Sequence, residues 1–349
     1  MSDKIRIGLI GAGMNTKLRH LPGFLRIDGV EVVGVVNRTA ESTAAVAREF
    51  GISKTYASGD ELIQDPEIDA VCIGTWPNTH CELTTRALEA GKHVLCEARM
   101  AANLADGRKM LECAQRHPEL IAQIVPSPFG LKCGPTVANL VKSHFLGDLR
   151  EVVVLAANNQ FWDYSEPLHW RQDQAISGRN ILALGILQET LARWVPSPVQ
   201  VFAQSEIFEP TRPVPDESRF AEATVPDSVQ IVAELQGGAR ALYHISGVIL
   251  FGPGLQIHLY GSRGTIKVNF NDGEERVHAG RSEDSELTEL EIPDEEQGTW
   301  RVEEDFICAI RGERKVQLTD LKTALGYMEF LEAVALSAEQ NVPIELPLD

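Results

Sequence analysis

The sequence predicts an α/β protein: an N-terminal doubly wound parallel sheet, then a second, α+β domain built on an antiparallel or mixed sheet. Three observations carry this prediction. Short apolar strand patterns alternate with single helical patterns through the first third, which is the grammar of β-α-β units. After about Pro126 strand patterns follow one another without intervening helices. The length, 349 residues, suits two domains at roughly 150 residues each. The expected boundary separates residues 1–125 from 126–349.

Lys4–Ile10 is a short apolar run closed by glycine, and Val30–Val36 is β-branched or glycine nearly throughout, as suits a strand buried on both faces. Thr39 reads as the N-cap of a helix over Ala40–Phe50, with Gly51 as its stop. Ile68–Ile73 and His93–Cys96 are further strands, separated by a helix over His80–Ala90 that ends at Gly91. Asn103 caps a helix running to about Arg116, and Ile121–Val125 is the last strand of this half. Beyond it, Thr136–Phe145 is helical with a stop at Gly147, Arg150–Ala156 is a strand, and Gly178–Val195 reads as one long apolar helix. Strands are expected at Gln200–Gln204, Ser228–Leu235, Arg240–Ser246, Leu255–Tyr260 and Thr265–Phe270. Glu206–Asp227 and Glu283–Gln297 read as loops, and a helix over Asp320–Glu339 follows.

Composition narrows the class of function. Lys and Arg total 32 against 50 Asp and Glu, a formal charge of −18. That balance argues against nucleic acid or an anionic membrane as partner, because either would require a basic patch. No apolar run reaches the ~18 residues of a membrane span, and the opening apolar run is too short and glycine-rich for a signal peptide. The six cysteines lie far apart with no C-x-x-C pair, so neither a disulfide framework nor a zinc ribbon is expected. They read as buried apolar side chains in a reducing, cytoplasmic setting. No His, Asp or Glu spacing suggests a metal.

The first strand runs into Gly11-Ala12-Gly13-Met14-Asn15-Thr16. Gly11 permits a tight turn, and Gly13 lets backbone N–H groups approach a pyrophosphate at a helix N-terminus. Thr16 stands where the G-x-G-x-x-G fingerprint has its third glycine, so the helix is expected slightly further out. The turn follows a strand and opens a β-α-β unit, which is the context a dinucleotide site requires. A site specific for NAD would put Asp or Glu at the end of the second strand, whereas this chain has Asn37-Arg38. Asn37 can bond a ribose hydroxyl and Arg38 can pair with a 2′-phosphate, so NADP is favoured over NAD, with a solvated Arg38 as the alternative.

Two further motifs point to a family. Gly74-Thr75-Trp76-Pro77-Asn78-Thr79-His80 follows the third strand, and Glu89-Ala-Gly-Lys-His-Val-Leu-Cys-Glu97-Ala98-Arg99-Met100 contains the fourth. Together they resemble the glucose–fructose oxidoreductase, inositol dehydrogenase and rhizopine-catabolism (Gfo/Idh/MocA) family, which shows T-P-x-x-x-H and then E-A-G-K-H-V-x-x-E-K-P. Trp76 stands at the first proline position. The similarity extends through Trp170-Arg171, the glycine-bearing helix after Ser177, Tyr260-Gly-Ser-Arg-Gly-Thr265 and Val342-Pro-Ile-Glu-Leu-Pro347. The resemblance implies an NAD(P)-binding Rossmann domain and a C-terminal domain with a large open, mostly antiparallel sheet. One sheet face would carry the substrate pocket and the other oligomer contacts. Family members move a hydride to or from a carbinol carbon of a sugar or cyclitol, with a lysine, a histidine and an aspartate handling the proton. By the same resemblance Gly11 to Asn15, Thr75 to Asn78, His80, Glu97, Trp170 and Arg171 border the cofactor, His80 alternatively serving only the helix start.

The chain departs from that family at the chemistry. The lysine position is Ala98 and the following proline is Arg99. In the helix bearing Gly185, the aspartate and histidine positions are Ala183 and Leu187. Arginine keeps its proton, so Arg99 would orient or stabilise an oxygen rather than exchange a proton, with Glu97 holding Arg99 or the nicotinamide ribose. Tyr164 and His169 are candidates for a relocated proton handler. Glu189 is another, read either as a buried base or as an i,i+4 ion pair with Arg193. Trp162, Arg179 and Asn180 are candidate substrate contacts, and Gln123 and Ser127 flank the expected cleft. The reading is an NAD(P)-dependent oxidoreductase acting on a sugar, sugar acid or cyclitol, a homodimer or homotetramer. The alternatives are a redox-neutral enzyme working through transient oxidation and a non-catalytic nucleotide-binding protein.

Overall fold

The computed structural model describes residues 4–214 and 219–348. Its contacts divide the chain into two units, Met1–Pro126 with Arg301–Gly326, and Ser127–Trp300 with Tyr327–Asp349. The 301–326 stretch, expected in the second domain, thus belongs with the first.

The first unit holds six parallel strands: β1 (Ile5–Ile10), β2 (Val30–Val36), β3 (Lys54–Thr55), β4 (Ala70–Ile73), β5 (His93–Cys96) and β6 (Ala122–Ile124), in the order β3-β2-β1-β4-β5-β6. This is the doubly wound Rossmann arrangement, whose chain reverses direction of travel between β1 and β4. Ile7, Leu9, Val35, Ile73 and Leu95 are fully buried, as covered parallel strands demand. A π-helical turn, Thr16–His20, precedes helix α1 (Leu21–Leu25); α2 (Ala40–Phe50), α3 (Gly59–Gln64), α4 (Pro77–Glu89) and α5 (Leu104–Arg116) follow. The caps anticipated from sequence form: Thr39 accepts from Ser42 N–H, Asn103 accepts from Asp106 N–H, and Gly51 closes α2 at φ +68°. Helix α4 starts three residues earlier than expected because Pro77 occupies its first turn, where a missing N–H costs nothing. From the later stretch, the helix Val302–Ile310 joins this unit. Residues 319–320 pair beside β6, with Ile124 N–H donating to the Thr319 carbonyl at 3.0 Å and Gln123 bridging Asp320.

The second unit is organised on a nine-stranded sheet. Its long strands are β7 (Leu149–Ala157), β8 (Pro198–Glu206), and, after a hairpin of β9 (Thr211–Pro213) with β10 (Phe220–Glu222), β11 (Ser228–Leu235), β12 (Arg240–Ser246), β13 (Gly254–Gly261), β14 (Gly264–Asn269) and β15 (Arg276–Arg281). With the two-residue edge strands β16 (Thr288–Glu289) and β17 (Ile344–Glu345), the order is β16-β15-β14-β13-β7-β12-β11-β8-β17. Every pair is antiparallel except β7 with β12. The short hairpin lies inside the segment read as loop from sequence.

One expected element is corrected. Gly178–Val195 is not a single helix. A short turn of helix, Gln174–Ser177, ends at Gly178 (φ +64°), Leu182 has φ +45°, and the regular helix covers only Leu184–Ala192. Asn180 donates its side-chain amide to the Ser177 carbonyl at 2.6 Å and Ser177 donates its hydroxyl to the Asn180 carbonyl at 3.1 Å. These local bonds take the backbone groups that a continuous helix would need.

Candidate functional site

The carboxyl ends of β1 and β4 meet at the point where the winding reverses, which is where open α/β sheets bind ligands. Gly11 N–H donates to the Val36 carbonyl and Gly74 N–H to the Ile10 carbonyl, both at 2.8 Å, so three strand ends are tied together. The fit is tight. A Cβ on Gly74 would lie 2.3 Å from both the Gly11 carbonyl oxygen and the Thr16 hydroxyl. Gly11 has φ +85°. Beside Gly13, by contrast, the nearest atom to a Cβ would be the Gly74 oxygen at 3.9 Å, leaving open space over the backbone. The Thr16 hydroxyl donates to the Gly11 carbonyl at 3.2 Å and closes the turn.

A cavity of about 740 Å³ opens from this turn, walled by Ile10–Gly13, Val36–Thr39, Ser42, Ala57–Asp60, Gly74–Trp76, Thr79, Glu82, Leu83 and Arg86. A bare Gly13, a backbone turn at a helix start and a cavity beside the β2 end fit the pyrophosphate and adenosine of a dinucleotide. Asn37 braces the turn: its side-chain oxygen accepts from Ala12 N–H at 2.6 Å. Arg38 is exposed, with its guanidinium carbon 5.4 Å from the centre of the Trp76 ring. The wall's two carboxylates, Asp60 and Glu82, are both paired with Arg86. Met14 and Asn78 are exposed, whereas Ala12 and Pro77 are buried in the turn and the helix start. Thr75 accepts from the Thr79 hydroxyl at 2.7 Å.

His80 is fully buried, with its Nδ1 2.8 Å from the Arg99 carbonyl and its Nε2 3.1 Å from the Thr75 carbonyl. Burial outweighs these bonds and lowers its pKa. It tethers the loop after β4 to the loop after β5, so it acts behind the site rather than on its surface. The Ala98–Arg99 peptide bond is cis.

Sequence reasoning missed His20 and Glu303. His20 is buried with Nε2 2.9 Å from Glu97 Oε1 and Nδ1 2.5 Å from Glu303 Oε1. Asn15 donates to the same Glu97 oxygen, and Ala98 N–H donates to the other at 3.1 Å. The only hint in the sequence is that His20 shares a helix face with Thr16 and Phe24, both buried. Its partner Glu303 lies 283 residues away.

Residues 5–123 match the Gfo/Idh/MocA oxidoreductase model, described as an NAD-binding Rossmann fold, and residues 135–267 match the C-terminal domain model of the same family. The chain belongs to the Gfo/Idh/MocA oxidoreductase family. It is 28% identical to an uncharacterized oxidoreductase, ORF334, from Rhizobium meliloti, over 97% of this chain and 98% of that one. It is 25% identical to the myo-inositol 2-dehydrogenase of Thermotoga maritima, over 75% of this chain and 74% of that one. The fold is shared with levoglucosan dehydrogenase solved with NADH and levoglucosan, at a TM-score of 0.86 and 20% identity, covering 99% of this chain and all of that one.

In this Gfo/Idh/MocA protein the second unit rearranges the expected candidates. Glu189 is 3% exposed, bonded to Arg193 at 2.6 Å and accepting from Ser127 N–H. It is the i,i+4 ion pair, and Arg193 also donates to the Ser127 and Phe129 carbonyls. The Ser127 hydroxyl accepts from Thr190 at 2.8 Å, so Ser127 also belongs to this brace. Arg179 pairs with Glu339 and, at 3.7 Å, with Glu332, while Asn180 bonds Ser177 as described. Arg179 thus stands in an ion pair and Asn180 in a local turn. His169 Nδ1 accepts from Arg171 N–H at 3.1 Å, capping the short turn Trp170–Gln172. Its neutral form then carries hydrogen on Nε2, so it offers no bare nitrogen for a general base. Burial, then the charge of Arg171, lowers its pKa. Arg171 stacks on Trp170, 4.3 Å from the ring centre. Trp162 and Tyr164 are 48% and 67% exposed.

Proposed function

We propose that this protein is an NADP-preferring oxidoreductase that transfers a hydride to or from a carbinol carbon of a sugar, sugar acid or cyclitol. The single observation that supports this best is the cradle formed by Gly11, Gly13 and Gly74 at the mouth of the 740 Å³ cavity. The substrate class is supported by the relatives, among them the inositol dehydrogenase. When bound, the nicotinamide ring donates or accepts the hydride. Glu97, anchored by Asn15 and His20, presents a carboxylate past the turn for the nicotinamide half of the cofactor. Arg99, 4% exposed, is the residue that would hold the carbinol oxygen and stabilise its negative charge, since guanidinium keeps its proton at any working pH.

The preference for NADP rests on the end of β2. No unpaired carboxylate in the cavity wall opposes a 2′-phosphate there, and Arg38 stands exposed above Trp76. Purified protein is expected to convert NADP in the presence of one or more members of a panel of sugars, sugar acids and cyclitols, read at the reduced-nicotinamide absorbance band. NADP should bind about tenfold tighter than NAD, a difference that Arg38→Ala removes, as befits one charge-assisted contact. Equal affinities in the parent protein would defeat the NADP assignment. Bound cofactor that never changes redox state against any polyol would defeat the dehydrogenase assignment.

We further propose a homo-oligomer that uses the outward face of the nine-stranded sheet. Phe202, Val232, Leu242 and Val153 stand in register across β8, β11, β12 and β7, with Val232 53% and Leu242 46% exposed. Such an apolar row suits a self-complementary two-fold contact between copies. Light scattering should give a dimer or tetramer, and the pair Val232→Lys and Leu242→Lys should give a monomer; a monomeric parent protein would end this proposal. No helix among the described residues is long and apolar enough to cross a membrane. The six cysteines are free, which supports a reducing, cytoplasmic location.

A further inference from the structure

Three ionisable groups form a buried chain whose net charge the hydride-transfer reading leaves unused. The imidazole of His20 lies between two carboxylates, and each ring nitrogen is within hydrogen-bond distance of one carboxylate oxygen. A neutral imidazole has one N–H and would set a nitrogen lone pair against the other carboxylate, so the geometry calls for the imidazolium, which donates twice. Gly23 makes room for the inner carboxylate, since a Cβ there would lie 2.6 Å from Glu303 Oε2. Exposure is greatest at one end of the chain: the side chains of Glu303, His20 and Glu97 are 4%, 0% and 15% exposed. Glu97 is therefore the end that opens outward.

The direction in which it opens follows from the strand order. The cavity at the β2 and β3 side of the turn takes the adenosine half, so the other half of a dinucleotide extends toward β4 and β5. Glu97 immediately follows β5, and Asn15 ties it to the turn. With His20 charged, the three groups carry a net charge of −1.

We propose that His20 and Glu303 are positioning residues for Glu97, fixing an ionised carboxylate and a net negative charge at the nicotinamide end of the site, so that the cationic, oxidised cofactor binds more tightly than the neutral, reduced one. The proposal rests on the dinucleotide reading above. Burial alone would lower the pKa of His20, but the hydrogen bonds to Glu303 and Glu97 outweigh it and raise the value to about 9. Burial would likewise raise the Glu97 carboxyl, and His20 instead holds it below the usual range. Other titratable groups that feel these carboxylates are His80, Cys96 and Asp305 and, on β4, the Cys72 thiol. Burial first, then both carboxylates, push its pKa far up, so it stays protonated. As the pH rises through about 9, His20 loses its proton, the net charge becomes −2, and the preference for oxidised cofactor should grow.

Calorimetric titration of the full chain with NADP, NADPH and ADP-ribose, from pH 7 to pH 10, tests this. ADP-ribose lacks the nicotinamide and serves as the reference. The ratio of NADPH to NADP dissociation constants is expected to exceed one at pH 7 and to increase above pH 9, while ADP-ribose affinity changes little. Glu303→Gln removes one of the two carboxylates that hold the proton on His20, so the pH at which the ratio begins to rise should fall. If that variant does not fold, the pH series on the parent protein, with the His20 ring-nitrogen NMR shifts recorded alongside, decides alone. Equal affinity for the two redox forms, or a ratio indifferent to pH, overturns the proposal. Failure to bind ADP-ribose as well would instead overturn the dinucleotide reading beneath it.

Discussion

Gly74→Ala is expected to abolish dinucleotide binding and to lower stability by about 1–3 kcal/mol, the usual cost of forcing a methyl group into a filled site. The new Cβ would lie 2.3 Å from the Gly11 carbonyl oxygen and from Thr16 Oγ1. One of those atoms is backbone and cannot rotate away, so the ends of β1 and β4 must separate and the turn above them must move. Gly13→Ala makes the contrasting case. With the nearest atom 3.9 Å from its Cβ, the folded protein has room for the methyl group, but that group fills the space over which a pyrophosphate would lie. It should melt like the parent protein and lose most of its affinity. Denaturant titration paired with calorimetry separates the two effects, and Gly74→Ala binding like the parent protein would show that the turn is not the cradle.

Arg193→Ala is expected to cost about 3–5 kcal/mol, the range found when one partner of a buried ion pair is removed and the other charge is left behind. Glu189 is 3% exposed and loses its 2.6 Å partner, and the carbonyls of Ser127 and Phe129 lose a donor as well. Glu189→Gln, which keeps the shape and removes the charge, should leave turnover on the best substrate of the panel within about a factor of ten, because a missing general base typically costs about 10²–10⁴-fold. A larger loss of turnover in a variant that still folds would return Glu189 to the list of proton carriers. Thermal melts and steady-state kinetics on the two variants distinguish a brace from a base.

Much of the first sheet could be read because its signals are local. Val30–Val36, Thr39 and Gly51 place a strand, a cap and a stop within about twenty residues, and the structure reproduces all three. The nucleotide turn was legible for the same reason. Glu189 kept two readings open, since an arginine four residues on is visible in the sequence whereas burial is not. What could not be read depends on distant partners or on competition. His20 is unremarkable in Lys17-Leu-Arg-His20 until Glu303 comes to meet it. Asn37 acts through its bond to Ala12, a pairing that no periodicity encodes. The helix expected over Gly178–Val195 has the right apolar content, but Ser177 and Asn180 divert the backbone before the pattern can propagate. The helix Val302–Ile310 was overlooked because it has no side-chain N-cap bond, although its acidic first turn, Glu303 to Asp305, was a signal that could have found it.

The return of Arg301–Gly326 to the first unit has a consequence for biosynthesis. A nascent chain that has emerged through Pro126 still lacks the strip that pairs beside Gln123 and Ile124, and it lacks the carboxylate that meets His20. The intervening 174 residues, 127 to 300, take about 10–35 s to translate at ordinary elongation rates. For that interval β6 is an uncovered edge and His20 a half-satisfied charge, so the growing polypeptide offers a chaperone a target long before termination. A gene fragment ending at residue 126 would freeze the chain in that state, and ribosome release would bring it no relief.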